Sequence, residues 1–380
     1  MKIGIVCYPT FGGSGVVATE LGLGLADRGH DVHFITYKRP VRLTSFHTNV
    51  YFHEVTSMEY PLFEYAPYET SLAAKLVDVI RFEKLDILHV HYAIPHAAVA
   101  FMTKQILKAK GIDIPVVTTL HGTDITLVGS DSSFASVAEF SINESDGVTA
   151  VSEQLKQETL DTFKINRDIR VIYNFIDFNR FRKTNKDHFR KAIAPEGEKI
   201  LVHISNFRKV KRVQDVINIF AQVAPKIQSK LLLIGDGPER NYMEDLCRSY
   251  KLCGEIRFLG KQEAVEELLA ISDLFILPSE NESFGLAALE AMACEVPVIS
   301  SNAGGIPEVN IDGVTGYMCD IGDVDGMAQR CVELLEDEEK LRKFGKNAYQ
   351  QAKRFDIEAI LPQYESYYRE IIERVKKRKD

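Results

Sequence analysis

Lys2-Ile-Gly-Ile-Val-Cys-Tyr-Pro-Thr-Phe-Gly-Gly-Ser-Gly15 opens the chain directly after Met1, and its reading decides the fold. Residues 2–7 form a short apolar run too continuous for a half-exposed strand, as expected of a strand buried on both faces. Tyr8-Pro-Thr-Phe follows, then Gly12, Gly13 and Gly15, and an apolar helical pattern begins at Val16. A strand, a glycine-rich turn and a helix start a βαβ unit. Glycines there let backbone approach a ligand, and the helix N-terminus offers N–H groups to phosphate.

Outward from that stretch the signature repeats. Buried-strand runs at 32–36, 87–91, 116–120 and 148–151 alternate with helical stretches such as 71–82 and 95–108, which predicts a parallel α/β sheet. After the polar stretch 177–195 the pattern restarts, with strands at 200–204, 231–234, 256–259, 274–277 and 298–300. The chain therefore reads as α/β with two Rossmann-like domains, residues 1–173 and 174–356, and a hinge near 174–182. Its 380 residues suit two cores, because single cores stop growing beyond ~250 residues. Ligands of open α/β sheets bind beyond the carboxyl ends of the strands, so two such domains are expected to face a central cleft and to close over a ligand.

Composition narrows the function. A net charge of -8 argues against a general nucleic-acid binder. The one concentrated basic run, Arg374, Lys376, Lys377, Arg378 and Lys379, reads as a solvated helical tail, with a membrane-surface tail as the minor alternative. Six cysteines without a CxxC pair read as buried thiols in a reducing compartment. The first strand begins at once and leaves no room for a secretory signal's apolar stretch, and no transmembrane span is apparent, so a cytoplasmic location is expected.

Gly13-x-Gly15-x-x-Ala18 also satisfies a dinucleotide-binding pattern, which keeps a nicotinamide-dependent enzyme in view. That reading needs an acidic residue at the end of the second strand, and Val32-His-Phe-Ile-Thr-Tyr-Lys38 supplies none. The second domain carries the stronger signal, Pro278-Ser-Glu-Asn-Glu282-Ser-Phe-Gly-Leu-Ala-Ala-Leu-Glu290. A strand ends, a loop carries Glu282, and a helix is expected from about Phe284. Glu282 can accept bonds from sugar hydroxyls, N–H groups from Phe284 onward can meet a diphosphate, and Glu290, placed about 9 Å along the helix at ~1.5 Å per residue, suits a ribose. Glu290 lies among Ala287, Ala288, Leu289, Ala291 and Met292, so it is read as a buried carboxylate that needs a partner.

This pair of glutamates eight positions apart, with Ser283-Phe-Gly-Leu286 between them, resembles the retaining nucleotide-sugar glycosyltransferases of family GT4. Gly235-Asp-Gly-Pro238 and Ala303-Gly-Gly-Ile-Pro-Glu308 resemble that family's turns, and the likeness covers nearly the whole chain. It implies the GT-B fold, with the C-terminal helix from about 357 to 380 packing back on the first domain. It also implies a UDP-sugar donor held by Gly13, Ser14, Gly15, Gly235, Ser283, Phe284, Gly285, Leu286 and Glu290. In Ser205-Asn-Phe-Arg-Lys-Val-Lys-Arg212, Lys211 matches the family's lysine, and Arg208 substitutes for the arginine whose position Asn206 occupies.

His121-Gly-Thr-Asp124 resembles the family's active-site histidine segment, so His121, Arg208, Lys211 and Glu282 are the expected catalytic groups. His89, His91 and His121 invite a zinc reading, but no carboxylate or cysteine completes a set at ligand spacing. A site without metal or cofactor is expected.

Finer likenesses run through residues 7–15, 89–96, 119–126 and 205–208. They resemble the bacillithiol-pathway branch of the family, which implies UDP-N-acetylglucosamine as donor and the hydroxyl of L-malate as acceptor. Ser14, Tyr92, Thr123, Asn174 and Arg208 are the candidates for the two acceptor carboxylates. The alternative is a member of the family with a different small or lipid acceptor, the lipid being disfavoured because no amphipathic basic helix lines the first domain. A homo-oligomer remains open.

Overall fold

The computed structural model describes residues 1–44, 46–57, 67–126, 131–184 and 187–378. The chain forms two compact units, Met1–Tyr173 with Glu358–Asp380, and Asn174–Ile357.

The first unit is built on seven strands: β1 (Lys2–Val6), β2 (Asp31–Thr36), β3 (Val50–Glu54), β4 (Ile87–His91), β5 (Val116–Leu120), β6 (Gly147–Ala150) and β7 (Ile169–Val171). They lie in the order β3-β2-β1-β4-β5-β6-β7, and every pairing is parallel. The chain leaves β1 toward β2 and later returns to β1's other side as β4, so the order reverses between β1 and β4. Backbone at that reversal diverges to either side, which opens a crevice at the strands' carboxyl ends. β3 and β7, the two edges of this sheet, escape the sequence reading. No residue of β3 is fully buried, so it lacks the continuous buried run of a central strand.

The C-terminal helix Ile357–Lys376 packs on this unit through an apolar and aromatic face. Tyr364 and Tyr368 are fully buried, and the Tyr368 hydroxyl lies 2.6 Å from Nδ1 of His89. Tyr367 accepts the Val148 N–H at 2.9 Å, and Glu365 takes Arg28 at 3.1 Å and His30 at 2.8 Å. Arg374 donates to the Asp146 carbonyl, and Arg378 reaches the Asp146 carboxylate at 3.1 Å. These two arginines of the basic run thus each have a partner within the first unit. Lys379 and the predicted end of the helix fall outside the described residues. No helix among the described residues is long and apolar enough to cross a membrane.

The second unit carries six strands, β8 (Lys199–Ile204), β9 (Ser229–Ile234), β10 (Ile256–Gly260), β11 (Leu274–Leu277), β12 (Val298–Ser301) and β13 (Gly316–Cys319). Their order is β10-β9-β8-β11-β12-β13, again all parallel. The reversal here lies between β8 and β11. One apolar face of the sheet packs on the helices Val213–Val223 and Val324–Glu336 through Leu201, Val216, Phe220, Leu231, Leu233, Ile276 and Leu334. β13 is a further edge strand absent from the sequence reading, since Tyr317, Met318 and Cys319 are only partly buried. All six cysteines are free thiols.

Candidate functional site

In the first unit, the loops leaving β1, β4 and β5 converge at the point of strand reversal. The loop after β1 enters the helix Gly13–Asp27 with Gly12 at the cap and no side-chain cap bond, so the first-turn N–H groups remain for a ligand. Gly15 is required there: a Cβ would stand 2.5 Å from the carbonyl oxygens of both Tyr8 and Thr10. Ser14 accepts the Tyr92 hydroxyl at 2.6 Å, and Thr123 is a second partner of that phenol. Tyr92 follows β4 with φ of 83°, a conformation a tyrosine rarely adopts, which turns the chain out of the sheet. Its ring sits 5.2 Å from that of His121.

His121 follows β5 and is held from below. Asp124, almost fully buried, accepts the N–H groups of Ala93 at 2.9 Å, Gly122 at 3.0 Å and His121 at 3.3 Å. Burial raises the pKa of this carboxyl and the backbone bonds oppose the rise. Sequence reading gave Asp124 no role; the structure shows it fastening the β4 and β5 loops together. Asp at that place, two residues past a glycine of φ 102°, is the one signal that could have found it.

Behind His121 lies a histidine stack. Nδ1 of His91 is 2.8 Å from Nε2 of His121, the His89 and His91 rings stack at 4.5 Å, and His96 donates through Nδ1 to the His91 carbonyl at 2.6 Å. Burial pushes the pKa of His89 and His121 down to about 3 and of His96 to about 4, and drives His91 well below the ordinary range. All four are neutral at pH 7. Both nitrogens of His89 are occupied, by Tyr368 at 2.6 Å and Thr119 at 2.7 Å.

In the second unit, the loops after β8 and β11 leave adjacent strand ends at the other reversal. Lys211 ends a short 3-10 turn, and its Nζ meets the Glu282 carboxylate at 2.7 Å. Ser279 donates to the same oxygen at 2.9 Å, and the Glu280 N–H bonds the Val210 carbonyl at 2.8 Å, stitching the two loops together. Arg212 bonds Asp215 at 2.6 Å and Glu280 at 2.9 Å. Arg208 is exposed and has no ion-pair partner among the described residues.

Beneath them, buried His203 donates from Nδ1 to the Ile276 carbonyl at 2.8 Å, which leaves Nε2 to accept the Ser205 hydroxyl at 2.7 Å. His203 and Ser279 went unread in the sequence, because a buried hydrogen-bonding group at a strand end looks like any core residue.

Glycines let the neighbouring turns close on these loops. Gly235, at φ 127°, follows β9 so tightly that a Cβ would come within 1.8 Å of the Ser205 carbonyl oxygen. Gly304, at φ 55°, leaves a Cβ only 2.2 Å from the Glu282 carbonyl oxygen, and the Gly305 N–H donates to that oxygen at 2.8 Å.

The helix after β11 spans Leu286–Ala293, starting two residues later than expected. Gly285 at φ 88° is left-handed and cannot be a helical turn, while Phe284 is buried against Phe355 at 5.3 Å. The expected diphosphate donors therefore begin at Leu286, behind a cap with no side-chain bond. Glu290 is the fifth helical residue, about 6 Å from the helix start at ~1.5 Å per residue, not 9 Å. It is 6% exposed, as its apolar sequence neighbours predicted.

Ser14, Tyr92, Thr123 and His121 are thus brought together in the first unit, and Lys211, Glu282 and Ser283 in the second. Asn174, the first residue of the second unit, is buried, and its Oδ1 has no hydrogen-bond partner among the described residues.

Residues 11–180 match the model of Glycosyltransferase Family 4, and residues 184–351 that of Glycosyl transferases group 1. The chain is 51% identical over 374 residues to N-acetyl-alpha-D-glucosaminyl L-malate synthase of Bacillus anthracis, covering 98% of this chain and 97% of that protein. It is 30% identical over 357 residues to an uncharacterized glycosyltransferase of Methanocaldococcus jannaschii, covering 89% and 90% of the two chains. In fold it resembles the Anabaena protein HepE in complex with UDP and glucose, with a TM-score of 0.81 at 24% identity over 97% of this chain and 99% of that one. Sucrose-phosphate synthase of Thermosynechococcus elongatus gives a TM-score of 0.80 at 22% identity over 97% and 98%. These two likenesses bear out the expected pair of Rossmann-like domains of GT-B type.

Proposed function

Because the chain belongs to glycosyltransferase family 4, we propose that it is the enzyme that transfers N-acetylglucosamine from UDP-N-acetylglucosamine to the hydroxyl of L-malate, with retention at the anomeric carbon, at the head of bacillithiol formation. The observation that carries the choice of substrates is the 51% identity, over 98% of the chain, to a protein that bears that activity in its name. The free thiols and the lack of any membrane-crossing helix among the described residues support a cytoplasmic setting.

In this reading the second unit takes the nucleotide sugar. The β-phosphate lies on the N–H groups from Leu286 and on Lys211 and Arg208, the ribose on Glu290, and the sugar hydroxyls on Glu282 and Ser283. Lys211 and Glu282 hold each other at 2.7 Å, so each orients the other for the donor. His121 meets a sugar hydroxyl as a neutral imidazole. Ser14, Tyr92 and Thr123, beside the helix Gly13–Asp27, offer hydroxyls and N–H groups to a malate carboxylate.

No protein nucleophile is needed. The departing β-phosphate takes the proton of the malate hydroxyl on the face where the new bond forms, and UDP leaves. The protein's share is positioning together with stabilisation of the leaving group's charge.

The deciding experiment incubates the protein with UDP-N-acetylglucosamine and a panel of small hydroxy acids and measures UDP release. Malate should stand out. Release that is equal for all acids, or absent with every one, would reject the assignment.

A further inference from the structure

We infer that His33, His53 and Glu83 form a binding site for one divalent transition-metal ion of the zinc class, at the β3 edge of the first unit's sheet.

The topology builds the cluster. β2 and β3 are parallel neighbours with His33 opposite Tyr51, and alternation along a strand puts His53, two residues on, on the same face. Glu83 is the last residue of the helix Tyr68–Glu83. One nitrogen from each ring and one carboxylate oxygen all lie within 4.8 Å of one another. Nδ1 of His33 stands 2.9 Å from Nε2 of His53, and the His33 ring is stacked on Tyr51 at 4.6 Å, which fixes its plane.

Protein atoms alone leave this cluster incompletely satisfied. Two facing ring nitrogens can share only one proton. His33 is 1% exposed, and its Nε2 has no hydrogen-bond partner among the described residues. A buried, half-satisfied imidazole of this kind is costly unless something else completes it.

The donor set decides the class of ion. Two imidazoles and a carboxylate suit zinc, cobalt, nickel or copper, whereas magnesium and calcium prefer oxygen ligands throughout. Among the charges around the rings, Glu83 and Asp31 favour a cation, while Lys2 and Lys75 oppose it. Three protein ligands leave one tetrahedral position for water.

The ion's place indicates a structural task. β3 stands three strand positions from β4, roughly 14 Å at ~4.8 Å per strand. That separates the cluster from the histidine stack on β4. A bound ion would tie together β2, the edge strand β3 and the end of the helix Tyr68–Glu83, and so stabilise only the folded first unit.

The test uses the untagged full chain, stripped with a chelator, dialysed, and titrated with Co²⁺ and with Zn²⁺. One equivalent should bind, Co²⁺ should develop the visible absorption of a low-symmetry imidazole site, and the thermal midpoint should rise. His53→Gln should weaken that equivalent by about 100-fold or more, beyond the 10–100-fold typical of groups that only support a ligand. Glu83→Gln should weaken it too, and it decides the matter if the His53 variant loses its circular dichroism spectrum. His47→Gln should bind like the parent. No tight equivalent in the parent protein, or one that survives both ligand substitutions, overturns the site.

Discussion

Nδ1 of His91 stands 2.8 Å from Nε2 of His121, and the other nitrogen of His91 is buried with no partner among the described residues. An N–H placed on that orphan nitrogen would lose its hydrogen bond to water, whereas a bare lone pair there costs less. The proton of His91 therefore sits on Nδ1 and is donated to His121, which must carry its own proton on Nδ1. In the proposed reaction that Nδ1–H is the one defined donor His121 has for a sugar hydroxyl. Replacing His121 with Ala should lower kcat for UDP release by about 10²-fold, comparable to losing one oxyanion-type donor. His91→Phe keeps the ring's bulk but frees the tautomer, and should cost about tenfold. A His91→Phe enzyme at the parent rate would rule out the relay.

The same stack makes the first unit sensitive to acid. His89, His91, His96 and His121 all have folded pKa values far below the ordinary histidine value near 6.5. Between the two values the unfolded chain binds protons that the folded chain refuses. Stability is therefore full above about pH 6.5 and falls as pH drops, by about 1.4 kcal/mol per pH unit for each histidine until its folded pKa is reached. The thermal midpoint, followed by circular dichroism from pH 8 to pH 5, should hold steady and then descend below about pH 6. A level midpoint down to pH 5 would contradict a neutral stack.

Legibility in the sequence followed burial. The central strands β1, β4, β5, β8 and β11 were readable because they are buried along nearly their whole length, and the edge β10 was readable from its Ile256-Arg-Phe-Leu run; the edges β3, β7 and β13, short and only partly buried, were not. At the site, Glu282 could be named from its motif and Lys211 from the family resemblance, yet their mutual ion pair depends on loops that join only in three dimensions. Asp124, His203 and Ser279 act by bonding backbone or a neighbour, and nothing in a single sequence separates that from ordinary core polarity. The helix start at Leu286 was misplaced because a left-handed glycine reads, in one dimension, much like a first helical residue.

Gly235→Ala tests the turn that supports the β8 loop. Its φ of 127° and the 1.8 Å approach of a Cβ to the Ser205 carbonyl oxygen forbid a side chain without moving backbone. The expected cost is about 2 kcal/mol or more, read as a lower thermal midpoint together with weaker donor binding. Gly254→Ala, where a Cβ meets nothing within 4 Å, serves as the control and should leave both unchanged. Equal behaviour of the two variants would mean that the β8 loop tolerates the shift.

Lys211 is expected to carry leaving-group charge, so Lys211→Ala should lower kcat by about 10²-fold or more in single-turnover measurements of sugar transfer. Glu282→Gln removes Lys211's partner while keeping the shape, and should act mainly on KM for the donor by loosening the prepared pair. An unchanged chemical rate in Lys211→Ala would take the lysine out of the mechanism.

Chelation should separate chemistry from architecture. Lys211, Arg208 and the N–H groups from Leu286 are proposed to supply positive charge to the diphosphate, so the proposed transfer should need no Mg²⁺. Excess chelator should leave the initial rate of UDP release at the parent value at a temperature well below the midpoint. The midpoint itself should fall, as the ion at His33, His53 and Glu83 is withdrawn from the folded state. Loss of turnover that Mg²⁺ alone restores would place a metal in the reaction and defeat the charge assignment to Lys211 and Arg208.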